Sequence, residues 1–176
     1  MKIRFFLMAA AAAVCGASAA SAASTLTIPP AAMLGMRVIA LHNQVRAGAG
    51  VQPIVWDRDL AVAADRYAAE LARTGRWGHS QQATRTGQGE NLWMGTRGAF
   101  NLDQMVGAWA SEGRMFRRGQ FPQVSRTGSW EDVGHYTQMV WRGSTRVGCA
   151  LRSSSRNDYF VCRYSPAGNV MGVAVP

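Results

Sequence analysis

Lysine is almost absent from this chain. Lys2 is the only one among 19 basic residues, and all the others are arginine. Acidic residues are also few, 10 in all, which leaves a formal net charge of +9. A basic surface can attract nucleic acid, anionic lipid or acidic cell-wall polymer. The arginines are scattered, with no polybasic block and no aromatic-interleaved run, and this argues against a nucleic-acid-binding protein. No long apolar run follows the N-terminal stretch, which excludes a transmembrane segment in the mature chain. Cysteine is scarce, three in all, and no C-x-x-C pair occurs, so a dithiol redox motif is excluded. There is neither an internal repeat nor a regular strand–helix alternation.

Lys2 and Arg4 form a positive start, Phe5 to Ala13 an apolar stretch, and A-x-A-like sites end at Ala19 and Ala22. This predicts a signal peptide over 1–23, a leader over 24–33 and one domain over 34–176, within a length of 176 residues that suffices for a core of its own. Loss of Lys2 and Arg4 would lower the net charge by two. Cys15 invites a lipoprotein reading, but Val14 precedes it where a small residue is expected, so lipidation is not favoured. Cys149 and Cys162 then remain as an even pair in an exported chain, secreted or periplasmic, and an oxidising compartment favours a disulfide.

Leu34, Val38, Leu41 and Val45 recur at helical spacing, predicting a helix over about 31–47 that Gly48 and Gly50 stop. His42 lies near that face and reads as a structural histidine bonded to backbone, because nothing acidic or sulfur-bearing sits at ligand spacing. Asp57 caps a second helix over 58–74, with Leu60, Ala64, Tyr67 and Leu71 as its stripe and Gly75 as its end. A short strand follows at Gly89–Gly95. A third helix is expected over 102–113, capped by Asn101, with Leu102, Met105, Val106 and Trp109 inward. Glu112 falls three residues after Trp109 on the same face, where a carboxylate is costly unless paired. Residues 114–129 read as irregular, 130–141 as containing a short helix, and 146–152 with 158–164 as a hairpin. A turn centred on Ser155-Arg156 sets Cys149 opposite Cys162, a pairing that suits a disulfide and contributes roughly 3 kcal/mol. A last strand is expected within 168–176. The order gives an α+β domain with helices on both faces of a small antiparallel sheet.

Two longer segments carry a resemblance. Gly134-His135-Tyr136-Thr137-Gln138-Met139-Val140-Trp141-Arg142-Gly143-Ser144 and Tyr159-Phe160-Val161-Cys162-Arg163-Tyr164-Ser165-Pro166-Ala167-Gly168-Asn169-Val170 resemble the two signatures of the CAP superfamily, the SCP domain of cysteine-rich secretory, venom-antigen and pathogenesis-related proteins and of many bacterial exported ones. Gly89-Glu90-Asn91 and Leu41-His42-Asn43 also look familial, and the resemblance spans about Leu34 to Val173. It implies a three-layer α-β-α sandwich and a cleft tetrad of His79, Glu90, Glu112 and His135. Functions tied to the cysteine-rich tail of some members, such as channel blocking, are not implied, because this chain has no such tail.

Two imidazoles can bind a divalent cation such as Zn2+ through neutral nitrogens, with the carboxylates orienting them or completing the shell through water. The other reading of the tetrad is a polar network tying loops to the third helix. Thr137 and Gln138 are candidates for positioning the cleft, while Met139-Val140-Trp141 reads as anchoring core. Glu131 stands four residues before His135 and is read as a helix cap in preference to a partner for it. Three function classes remain open. An exported, non-enzymatic binding module for a lipid, sterol or cell-surface ligand is the one the resemblance favours. A metal-dependent peptidase, or a glycosidase using Glu90 and Glu112, is the second, although no H-E-x-x-H is present. The third is a cell-wall or host-surface protein working through its arginines, with a structural tetrad.

Overall fold

The computed structural model describes residues 30–176, so the predicted signal peptide over 1–23 and the leader up to residue 29 lie outside the described residues. Helix α1 spans Pro30–Gly48 and α2 spans Arg58–Thr74. The Asp57 side chain accepts the N–H groups of Asp59 and Leu60 at 2.9 and 3.0 Å, which starts α2 where the sequence placed it. Gly75 ends it in the left-handed region at φ 69, its N–H returning to the Leu71 carbonyl. Helix α3 covers Leu102–Ser111 behind a capping box of Asn101 and Gln104. It stops short of the expected end. Glu112–Arg114 tighten into a 3-10 turn, and a side chain at Gly113 would run into the Tyr136 ring. Another 3-10 turn, Trp130–Val133, leads into α4, Gly134–Met139.

The main sheet has the order β1-β4-β5-β2, where β1 is Val55–Trp56, β2 Gly89–Thr96, β4 Arg146–Ser153 and β5 Asn157–Ser165. The β2–β5 and β4–β5 pairs are antiparallel, as expected. β1 joins β4 in parallel, a two-residue contact that hydrophobic alternation is too short to signal. The segment over 114–129 is more ordered than its Arg- and Gly-rich composition suggests. It holds a Phe116–Ser125 bridge and β3, Gly119–Gln120, which pairs with β6, Ala174–Val175, all that forms of the last strand. Cys149 and Cys162 are direct cross-strand partners and form the expected disulfide, with Cα atoms 4.1 Å apart.

Alternation along β5 divides the core between the faces of the sheet. Phe160, Cys162 and Tyr164 pack with Val38, Met105, Val106, Trp109 and Met139 on the side of α1, α3 and α4. Tyr159 and Val161 pack with Leu92 and with Ala64, Ala68 and Leu71 of α2. Helix α2 lies so close that a Cβ at Gly148 of β4 would strike its backbone at Ala61. The result is the expected helix–sheet–helix sandwich. A third cluster of Phe121, Val124, Val133, Val140, Trp141 and Val175 secures the C-terminal segment. Among the described residues no helix is long and apolar enough to cross a membrane.

Candidate functional site

The four expected side chains form two histidine–carboxylate pairs on either side of edge strand β2. In the first, His79 Nδ1 lies 2.7 Å from Glu90 Oε1. His79 sits in the loop after α2, where Tyr67 donates its hydroxyl to the Gly78 carbonyl at 2.5 Å. Glu90 stands on β2 and turns toward α2, its side chain fully enclosed. It accepts the Ser80 N–H and hydroxyl, each at 3.0 Å, and pairs with Arg163 at 2.9 Å. Burial alone would raise the Glu90 carboxyl, but the His79 hydrogen bond, the Arg163 charge and the Ser80 N–H outweigh it and hold the group below the usual carboxylate range. The Arg163 guanidinium lies over the Tyr67 ring, 5.4 Å from its centre, while its Nε is buried without a hydrogen-bond partner.

In the second pair, His135 Nδ1 lies 2.6 Å from Glu112 Oε1. Glu112 Oε2 accepts the backbone N–H groups of His135 and Tyr136, both at 3.0 Å. The turn after α3 therefore also caps the free N–H groups at the start of α4. This accounts for an acidic residue after an apolar stripe, although Glu112 belongs to a 3-10 turn and not to the helix expected for it. The His135 ring stacks on Trp109, with centres 5.8 Å apart and planes 18° from parallel.

An ionised carboxylate only accepts, so each histidine donates from Nδ1 and, when neutral, keeps its lone pair on Nε2. Both rings reach solvent, with side-chain exposures of 53% for His79 and 31% for His135. Both carboxylates are occupied as orienters. Among the described residues, no group of three or more His, Cys, Asp and Glu is arranged to hold a metal ion. The donor set therefore does not fit a closed four-ligand structural site. The nitrogen that neither carboxylate engages is Nε2, one on each ring.

Thr137 and Gln138 are buried and support α4 from behind. Thr137 donates to Asn169 Oδ1 at 2.7 Å, and Asn169 donates to the Gly134 carbonyl at 2.9 Å. Gln138 accepts the Gly168 N–H and donates to Ser144 Oγ, both at 3.0 Å. Met139, Val140 and Trp141 are buried in two of the core clusters, as their sequence suggests. Glu131 is exposed and accepts the Ser129 hydroxyl, but it makes no capping hydrogen bond to a helix N–H group; the cap expected of it is not formed, and Glu112 takes the free N–H groups of α4 instead. His42 is the backbone-bonded histidine expected, with Nδ1 2.9 Å from the Val38 carbonyl. Sequence reasoning missed Arg163 and Ser80 as holders of Glu90. The signal for Arg163 was its place at an inward-alternating position of a buried strand, where an arginine needs an acidic partner.

The family model described as the cysteine-rich secretory protein family, CAP, matches residues 39–164. Pathogenesis-related protein 1C of Nicotiana tabacum is 40% identical over 134 residues, 74% of each chain. Pathogenesis-related protein PRMS of Zea mays is 32% identical over 135 residues, covering 75% of this chain and 76% of the relative. Among solved structures, NaASP2 with Zn2+ is similar at a TM-score of 0.65 and 25% identity, over 81% of this chain and 84% of that one. BmVAL-1 shares the fold at a TM-score of 0.65 and 20% identity, over 86% of this chain and 84% of that one.

Proposed function

The chain belongs to the cysteine-rich secretory protein (CAP) family, and from that premise we propose that it is an exported binding module whose His79 and His135 take a divalent cation such as Zn2+ through their Nε2 atoms. The observation that carries this reading is the engagement of both Nδ1 atoms by carboxylates, at 2.7 and 2.6 Å, which leaves Nε2 as the second nitrogen of each of two partly exposed rings. The related structure NaASP2 is described with Zn2+, which supports the choice of ion. Once bound, the cation would supply a positive charge and open coordination positions to an incoming ligand. Glu90 already accepts two Ser80 groups and His79 and pairs with Arg163, and Glu112 accepts two backbone N–H groups and His135. Neither carboxylate stands free as a general base, which favours holding a ligand over cutting one. The Cys149–Cys162 disulfide suits an oxidising, exported setting.

Calorimetric titration of Zn2+ into the metal-free protein tests the reading. Binding heat in the wild type and its loss in His79→Ala and His135→Ala are expected. Equal heats from wild type and His135→Ala, or no heat from either, would overturn it.

A second reading, for a lipid, rests on a different place. A shallow hollow on α1 is lined by Met33, Met36, Arg37 and Ala40, and both methionines are exposed. Solvent extraction and mass spectrometry of the purified protein should recover bound lipid from the wild type and not from Met36→Glu. Equal recovery from both, or none from either, would sink this reading.

A further inference from the structure

Directly behind the His135 pair runs a chain of buried polar groups that the cation reading does not use. His42 Nδ1 meets the Val38 carbonyl at 2.9 Å, and His42 Nε2 meets the Tyr164 hydroxyl at 2.8 Å. The Asn91 amide nitrogen meets the same hydroxyl at 3.2 Å and the His135 carbonyl at 3.1 Å. His42, Tyr164 and Asn91 are buried, within 1% of complete enclosure. Burial pushes His42 down to about 4, so the ring is neutral.

The polarity of this chain is determined at every step. A carbonyl only accepts, so His42 must donate from Nδ1 to Val38. Its Nε2 is then an acceptor and takes the Tyr164 O–H. The phenol oxygen accepts one Asn91 N–H, and the remaining Asn91 N–H goes to the His135 carbonyl. The chain crosses from α1 through β5 and β2 to α4.

Its position on β2 gives it a second consequence. Adjacent residues of a strand project to opposite faces. Glu90 turns to the α2 side and holds His79, and Asn91 turns to the other side and holds His135. One peptide link therefore joins the supports of the two imidazoles.

We propose that Asn91, Tyr164 and His42 are positioning residues for His135: a relay of fixed polarity that secures its main chain, while the neighbouring Glu90 secures His79, so that β2 determines how the two rings stand relative to each other. The consequence for cation affinity rests on the two-imidazole reading above. The orientation of His135 does not.

The experiment reads both. Imidazole resonances of His79 and His135 are followed by NMR in metal-free protein, and Zn2+ affinity is then measured on the same samples. Asn91→Ala is expected to move the His135 resonances, speed amide exchange at His135 and Tyr136, leave the His79 resonances in place and weaken Zn2+ binding roughly tenfold. Tyr164→Phe keeps the ring and its packing, and should move the same His135 resonances in the same direction. Val161→Ala, in the core beneath α2, is the stability control and should leave His135 where it is. His135 resonances that move no more in Asn91→Ala and Tyr164→Phe than in Val161→Ala would overturn the relay. A wild type that takes up no Zn2+ would overturn the cation reading alone, because the resonances in metal-free protein still decide the relay.

Discussion

Glu90 and Glu112 each hold a histidine through Nδ1, but they are themselves held by different forces. Glu90 is fully enclosed and balanced by a guanidinium, Arg163, that is itself 5% exposed. Glu112 remains partly exposed and is held by the two N–H groups that begin α4. The first arrangement is an ion pair inside a low-dielectric layer, where either partner left alone is costly. The second is a helix-start contact that water can partly replace. Two supports for the same ring nitrogen should therefore fail at different costs and under different conditions.

Removing the carboxylates separates them most sharply. Glu90→Ala strands a buried Arg163 and is expected to lower stability by about 3–5 kcal/mol in chemical denaturation. A loss below 1 kcal/mol would mean that Arg163 finds solvent or another partner, and the contrast between the two pairs would collapse. Acid should act next. Folding keeps His42 neutral by burial, with its value lowered from 6.5 to about 4, whereas the unfolded chain takes up the proton below 6.5. Stability is therefore complete above pH 6.5, declines as pH falls from there towards 4 and levels off below, a loss of about 3 kcal/mol from this group. The Glu90 carboxyl, held below its usual range, begins to give up its contribution as pH falls below about 4.5 and continues to do so at lower pH. A pH series of urea titrations on wild type and His42→Gln checks this, with the slope between pH 6.5 and about 4.5, where the Glu90 carboxyl has not yet begun to titrate, confined to the wild type. Glu112→Ala should cost least, about 1–2 kcal/mol, the range of a lost helix cap, with Glu112→Gln recovering part of it because the amide oxygen still accepts. Equal losses for Glu90→Ala and Glu112→Ala would break the comparison.

The long elements were legible in the sequence because their signals repeat. Asp57 and Gly75 bracket α2 with a cap at each end, and the alternation around Cys149 and Cys162 determines a hairpin register in which one slip would turn every side chain over. The tetrad could be assigned by resemblance, and Glu112 also by its odd place behind Trp109. What stayed hidden was short or many-bodied. Strands β1 and β3 have two residues each, too few for any period. The supports of the site, Arg163, Ser80, Asn91 and Tyr164, depend on which residues of distant segments meet across a sheet, and a linear pattern does not record that. His42 could be read as structural, but its link through Tyr164 to Asn91 joins residues 122 positions apart at its longest step.

Gln138 passes between two glycines. A Cβ at Gly89 or at Gly168 would collide with its amide. These three positions make a lock in which no part can be enlarged alone. In a relative whose glycine at either place has grown to alanine or serine, the glutamine should have become smaller as well, and the loop carrying Pro166 and Asn169 should have shifted. Correlated change at these three sites would then report, across many sequences, how far α4 and its histidine have drifted from the strand beneath.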